Sequence, residues 1–591
     1  MSDLTAQRGG LGSITEQQHS HDTWSHAIGA GIGSPRNFWH GSLLSACCQS
    51  IEVLVKLNII QFKTGIVMTT LSPISTANTL IARPTETPAA TLTHNVEVSL
   101  KRPSSVVSLG NVVSDTLSDT YSRRGQLPGQ ETVRAWESDR QDALSKSLNA
   151  NFNSQSTANR FSGLGAGLVA QFAKGGGGIS QSVMFASADR AANAGEIKVD
   201  QSLLHSKADN LISLSIKTAS GKTVTFSLSS QTDGLGVKAT VEGGTLSDEE
   251  LTAVGKLGSA FQAAVDGLTA TPPKLDLSQL TQFDSTLLAS VDLSAKLKSL
   301  DGQDLSLAFH ADSQSRTTRM SGPLGELNLA VDLKNTAILG NAKQQAKALQ
   351  SYLTQFDRAQ ARGSAKPELM AMFKDAFSAM NSHYPQGVSL PEALTRNPTD
   401  QGLLTGLADF KASIKQASDS PNPMRPSEVD SFAYEVSQKT RVGGSTALDR
   451  SVSQDQQSSL SASFHKSLKG GKAPALDGTA ESQNYLYVQV QDKASSSANL
   501  SYKDGLLTHA SVSQEASQNT RTQKYVMGKL VDETYVPTQA AVKRDYLVLL
   551  EYAANASKKS KDALEESTLK DALANMHDSV MLQQEPSALV R

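Results

Sequence analysis

Between residues 208 and 243 apolar and polar side chains alternate with period two. Ile212, Leu214 and Ile216 stand against Ser213, Ser215 and Lys217, and Val224, Phe226 and Leu228 against Thr225 and Ser227. Leu235, Val237, Ala239 and Val241 repeat the pattern. Such alternation marks strands buried on one face, and the short connections predict an antiparallel meander. The first connection contains Gly221-Lys222-Thr223, the residues that end a phosphate-binding loop. The first glycine of such a loop would stand at Ile216, so no backbone cradle precedes the lysine. The stretch instead predicts a hairpin turn with Gly221 at positive φ and with Lys222 and Thr223 directed to solvent. A helix is predicted over 247–268, where Ser247 and Glu250 form a capping box. Leu251, Val254, Leu257, Phe261, Val265 and Leu268 give it one apolar stripe.

Alternation returns at Leu305, Leu307 and Phe309 and at Leu327, Leu329, Val331 and Leu333. Helical spacing comes next at 341–361, at 367–382 and near 402–417, and another helix is predicted at 129–148 from Val133, Trp136, Leu144 and Leu148. "SDSPNPMRPSE" (418–428) reads as a proline-rich linker. Strand patterns resume in "FAYEVS", "LSASFH", "NYLYVQVQD", "ANLSY", "THASVS" and "QKYVMGKLV", and Pro537 is expected to end the sheet. Tyr485 and Tyr487 oppose Leu486, Val488 and Val490, which predicts a central strand or one covered on both sides. The expected fold class is α+β, with antiparallel meanders packed against helices and a long disordered N-terminal region. Its divisions are an upstream or disordered extension (1–67), a disordered Ser/Thr/Pro-rich tail (68–128) and a helical, Gly-rich segment (129–207). Beyond these lie an α+β region (208–417), the linker (418–430), an antiparallel β region (431–537) and C-terminal helices (538–591).

Composition narrows the function classes. Over 591 residues, 38% are hydrophobic and only 5% aromatic, which predicts small cores. Lys and Arg number 55 against 57 Asp and Glu, so no basic footprint points to nucleic acid. No uncharged apolar run is long enough to span a bilayer. Cys47 and Cys48 are adjacent, and the chain after them has no thiol, which excludes a disulfide framework. His19, His21, His26 and His40 share that first segment, but their spacing lacks the regular pairs of a zinc site. The composition of residues 1–67 differs from that of the rest of the chain, so translation is expected to begin at Met68. Without a basic start and apolar block, the expected location is the cytoplasm, or outside by a route that cleaves no signal peptide.

Catalytic patterns fail on spacing. Gly163, Gly165 and Gly167 give G-x-G-x-G without a preceding strand, which is not a dinucleotide turn. Ser463 and Lys466 satisfy S-x-x-K, yet they continue a strand and would point to opposite faces. The histidines of the body stand singly. No catalytic, cofactor-binding or metal-binding residue is assigned, and no cofactor is expected. One weak repeat remains: "SQKTR" (437–441) and "SQNTR" (517–521), with "SQSRTTR" (313–319) as a looser copy. Its Gln438, Arg441, Gln518 and Arg521 are the candidates for a surface that binds an unknown protein partner.

The alternating "LISLSIKTASGKTVTFSL", the capped helix and "FAYEVSQKTRV" together resemble large proteins of Pseudomonas-type bacteria, some of them labelled lactate dehydrogenase. That label implies a nicotinamide fold with a glycine fingerprint, a catalytic histidine and a substrate-binding arginine. The chain has no strand–GxGxxG–helix unit to match the first requirement, so no residue is carried across. The Ser/Gln/Ala-rich, aromatic-poor composition also resembles that of proteins exported unfolded. The leading expectation is therefore a non-enzymatic binding or structural protein, with a nicotinamide-dependent oxidoreductase as the alternative.

Overall fold

The computed structural model describes residues 132–590 except 140, 299–303, 385–397, 445, 447 and 557–562. The expected extension and tail, with their cysteines and histidines, lie outside the described residues. Helical elements in the first part are α1 (Ala143–Asn151), α2 (Thr157–Phe161), α3 (Leu164–Phe172), α4 (Ala188–Ala192) and α5 (Ala194–Lys207). The next are α6 (Asp248–Lys256), α7 (Gly258–Thr269), α8 (Ala342–Gly363) and α9 (Pro367–Met380). α10 (Pro398–Gly402), α11 (Leu547–Ala556), α12 (Ala563–Val580) and α13 (Pro586–Leu589) complete the set. The strands are β1 (Thr132–Trp136), β2 (Ile179–Ser187), β3 (Asn210–Thr218), β4 (Thr223–Gln231) and β5 (Gly234–Glu242). β6 (Leu288–Leu297), β7 (Leu305–Asp312), β8 (Ser315–Gly322), β9 (Gly325–Asp332) and β10 (Asp409–Gln416) continue the chain. β11 (Ser431–Gly444), β12 (Arg450–Ser467), β13 (Tyr485–Lys503), β14 (Leu506–Val526) and β15 (Lys529–Asp545) end it.

The fifteen strands of the described residues join one sheet in the order β1-β2-β5-β4-β3-β6 and then sequentially to β15, and every pair is antiparallel. One row of facing residues crosses the sheet from β2 to β10: Ile179, Ala239, Phe226, Leu214, Leu293, Phe309, Thr318, Leu329 and Ala412. It continues through Val436, Ser458, Ala494 and Ala516 to Ala540. This is the face against which α3, α8 and α9 pack. Phe172 of α3 meets Phe226 edge-on at 5.1 Å, and Phe356 and Phe377 pack around Tyr352, Phe410 and Tyr434. Rings and leucines fill the first two thirds of the row, whereas serine and alanine dominate the last strands.

Several expectations are corrected. Residues 132–136 are a strand, and the helix begins only at Ala143, where the Asp142 carboxylate accepts from Ser145 N. The capped helix is two helices, α6 and α7, although the predicted stripe runs through both. In place of the helix expected near 402–417, β10 buries Phe410, Ala412 and Ile414 and exposes Lys411 and Lys415. Pro537 does not end the sheet but sits inside β15, opposite Asn519. "QKYVMGKLV" is not one strand, because Met527-Gly528 turns the chain between β14 and β15, with both residues at positive φ. Residues 418–430 separate nothing, since β10 pairs with β11 across them. The hairpin at Gly221 is present, with φ +90° and a Gly221 N–H to Thr218 O bond of 3.0 Å. Lys222, expected in solvent, is drawn to Glu250 of the capping box at 2.9 Å.

Candidate partner-binding surface

The opposite face of the sheet carries a different chemistry. One of its rows runs Ser213, Ser294, Ala308, Arg319, Asn328, Ser413, Glu435, Ser459, Lys493, Ser517 and Gln539. The next runs Ser215, Asp292, His310, Thr317, Ala330, Lys411, Ser437, Gln457, Ser495 and Glu515. Small hydroxyls interspersed with single charges cannot form a dry core, so this face stays hydrated. Two segments cover its ends. Toward β1 to β5, α4 and α5 pack on it through Met184, Ala186 and Ile197. At the far end of β12 to β14 the connection between β10 and β11 lies across it as a strap.

The strap is fastened by a polar cluster. His465 of β12 is 1% exposed, with Asp430 Oδ1 2.6 Å from Nδ1 and Glu428 Oε2 3.2 Å from Nε2. Tyr485 donates to Glu428 Oε2 (2.7 Å), Tyr487 donates to Val429 O (3.1 Å), and Arg425 lies over the Tyr525 ring. Burial and the neighbouring Glu428 carboxylate push the Tyr485 phenol well above its ordinary range. These side chains engage one another across the two segments, so the arrangement fixes the strap. β13 is thus covered on both faces here, as the opposed Tyr and Val positions predict.

Between the two covers, β10 to β14 leave a shallow trough of about 450 Å³. Lys411, Glu435, Ser437, Gln457, Ser459, Lys493, Ser495, Glu515 and Ser517 line it. Among the described residues, Lys411, Glu435 and Lys493 are exposed and form no ion pair or side-chain hydrogen bond. Arg441 and Arg521 stand on this face as well. Arg441 pairs with Asp455 at 2.5 Å, and Arg521 with Glu533 at 2.5 Å. The register carries Arg521 through Gln489 and Ser463 to Ser431, ten residues from Arg441 along β11. At about 3.4 Å per residue, the two guanidinium groups flank the trough about 34 Å apart along the strands.

The glutamines of the repeat lie on the other face. Gln438 is 2% exposed, and its Oε1 accepts from Thr405 Oγ1 (2.8 Å) and from Tyr352 OH (3.4 Å). Its Nε2 donates to Leu407 O and Ala408 O at 3.0 and 3.2 Å. Gln518 donates to Gln584 O at 3.2 Å. Gln438, Arg441, Gln518 and Arg521 therefore do not form one surface: three-residue spacing on a strand puts glutamine and arginine on opposite sides. The inward glutamines belong to a ladder that sequence reasoning missed. Gln456 and Ser496 donate to Val580 O, Gln514 donates to Met581 O, and Leu582 N donates back to Gln456 Oε1. The signal was present as glutamine at the even-numbered, inward positions of β11, β12 and β14.

A cleft of about 810 Å³ lies between α6, the 281–287 loop and the turn before β8. Its polar groups hold the loops together. The Arg316 guanidinium donates to the carbonyls of Met380, Ser382 and His383, and Asp312 accepts from Gln314 N and Ser315 N. His205 comes near Ser180 and Glu137, but both contact the same ring nitrogen, so no nucleophile–base–acid relay is formed. Ser463 bonds Ser431 and Val429 O, away from Lys466. Among the described residues no group of three or more His, Cys, Asp or Glu side chains could hold a metal ion, and no helix is long and apolar enough to cross a membrane. The parallel crossover and glycine turn of a nicotinamide fold have no counterpart there either: Gly163 precedes α3 without a strand before it. Comparison with protein-family models, with curated proteins and with solved structures finds no match.

Proposed function

We propose that this is a non-enzymatic binding or structural protein that holds a protein partner against the trough on the open face of β10 to β14. The observation that carries this reading is the set of exposed, internally unpaired charges Lys411, Glu435 and Lys493 among serine hydroxyls. Charges of both signs at fixed positions on a rigid sheet select register and partner more than they supply affinity. The residues in the named roles are Lys411, Glu435 and Lys493 at the centre and Arg441 and Arg521 at the two ends. A photo-crosslinking side chain at Ser495, in the middle of the trough, is expected to capture a discrete protein from native lysate. The same group at Thr354, exposed on α8, serves as the control and is expected to capture none. Equal labelling from both positions, or none from Ser495, would sink the reading. Lys411→Glu combined with Lys493→Glu is expected to weaken capture about tenfold or more.

A further inference from the structure

Among the described residues the sheet ends on β15, a strand of seventeen residues with no strand paired to its outer side. Lys529 to Gln539 are exposed throughout, including Leu530, Val531, Tyr535 and Val536 at 46%, 55%, 62% and 52%. A long edge with exposed apolar side chains invites pairing with another strand. Its outward groups can be identified. Tyr546 N–H donates to Ala510 O at 2.8 Å, so even-numbered residues direct their backbone groups to β14. Odd-numbered residues, as far as the irregularity at Lys524/Tyr525, direct theirs outward.

We infer that the occupant of this edge is a second copy of the chain, its β15 paired antiparallel with the first about a two-fold axis at Thr538. This register sets outward residues against outward residues and makes the strand complementary to itself. Asp532 faces Arg544 of the second copy, and Glu533 faces its Lys543. Tyr535 meets Ala541, and Val536 meets Ala540, so each bulky side chain stands opposite a small one. No like charges are opposed. A register centred between Asp532 and Glu533 would bring those two acids together and is disfavoured. Pro537 removes one outward donor from each strand beside the axis. The two bonds lost lie beside the axis, so the ladder is carried by the two flanking segments. Asp532 and Lys543 have no internal partner among the described residues, whereas Arg544 bonds only Gln514 (3.1 Å), which leaves its charge available.

Sedimentation velocity on the full chain tests this. Wild type is expected to double its 62.6 kDa mass as concentration rises. Asp532→Lys and Arg544→Glu, each an exposed or half-buried charge reversal, are expected to weaken the dimer about tenfold or more. The double variant D532K/R544E restores opposite charges across the axis and is expected to return to within about threefold of wild type. Rescue by the second reversal separates edge pairing from a folding defect. A monomer at every concentration, or a dimer insensitive to both single reversals, would overturn the inference.

Discussion

Tyr352 and Gln438 show how single side chains set the fate of a polar position in this sheet. Tyr352 is fully enclosed and donates to Gln456 Oε1 at 2.8 Å. Tyr352→Phe leaves that acceptor short of a donor and is expected to cost about 1–2 kcal/mol in chemical denaturation. Gln438→Leu strands the Thr405 hydroxyl and two carbonyls, with an expected loss of about 2–3 kcal/mol. A partner-contact residue would instead leave stability unchanged. Glu250 gives a pH signature. Hydrogen bonds from Ser220, from the Ser247 backbone and from Lys222 hold its carboxyl at about 2, below the usual 4.5. A depressed carboxylate stabilises the fold above the unfolded value and stops doing so as pH falls through the folded one. Thermal melts of Glu250→Gln are therefore expected to lie below wild type at neutral pH and to converge with it between pH 4.5 and about 2.

At the scale of elements, the strap and the long strands depend on each other. β12, β13 and β14 run 18, 19 and 21 residues, about 60–70 Å each, and on the outer face their far ends are buried at His465, Tyr485, Tyr487 and Tyr525. What covers them there is the strap, through Glu428 and Asp430. Glu428→Ala removes the acceptor of both Tyr485 and His465 and is expected to raise hydrogen exchange over 419–430 and in Tyr485–Tyr487 at least tenfold. Exchange in α8 and α9 is expected to stay unchanged; a uniform increase would show that the strap is not a local unit. The same elements explain what the sequence concealed. "KASSS" inside β13 and "SQDQQSS" inside β12 carry no apolar alternation, so the strands read as broken. Serine and glutamine are held there by ladders on both sides and by the glutamine contacts to Val580 and Met581, none of which is local. β10 is hidden for another reason, since Phe410 and Ile414 of its alternating "DFKASIKQ" also fit helical spacing.

Across the whole molecule the sheet is continuous, and this decides what can fold alone. Residues 431–591 expressed without the rest lack α8 and β10, against which Phe432, Tyr434 and Val436 are buried. That fragment is expected to bind a hydrophobic dye and to show no cooperative transition, whereas independent folding would restore 418–430 as a domain boundary. Gly325 tests the same continuity. Its φ is +138°, and a Cβ there would meet Lys415 O of β10 at 2.1 Å. Gly325→Ala is expected to cost about 3 kcal/mol or more and to raise exchange in β8 and β10 together.

Alternation and capping by themselves determined the meander of β3 to β5, the capped start of α6, the spans of α8 and α9 and the antiparallel α+β character. These signals arise from contacts between near neighbours and from burial of one face, both written in local order. Period two also determined that Ser463 and Lys466 could not cooperate. Only the tertiary structure decided that the meanders join one sheet, that Gln438 and Gln518 face inward while Arg441 and Arg521 face outward, and that residues 418–430 fold back as a strap. Those outcomes depend on partners tens to hundreds of residues away, whose hydrogen bonds satisfy polar groups that local order leaves indistinguishable from surface.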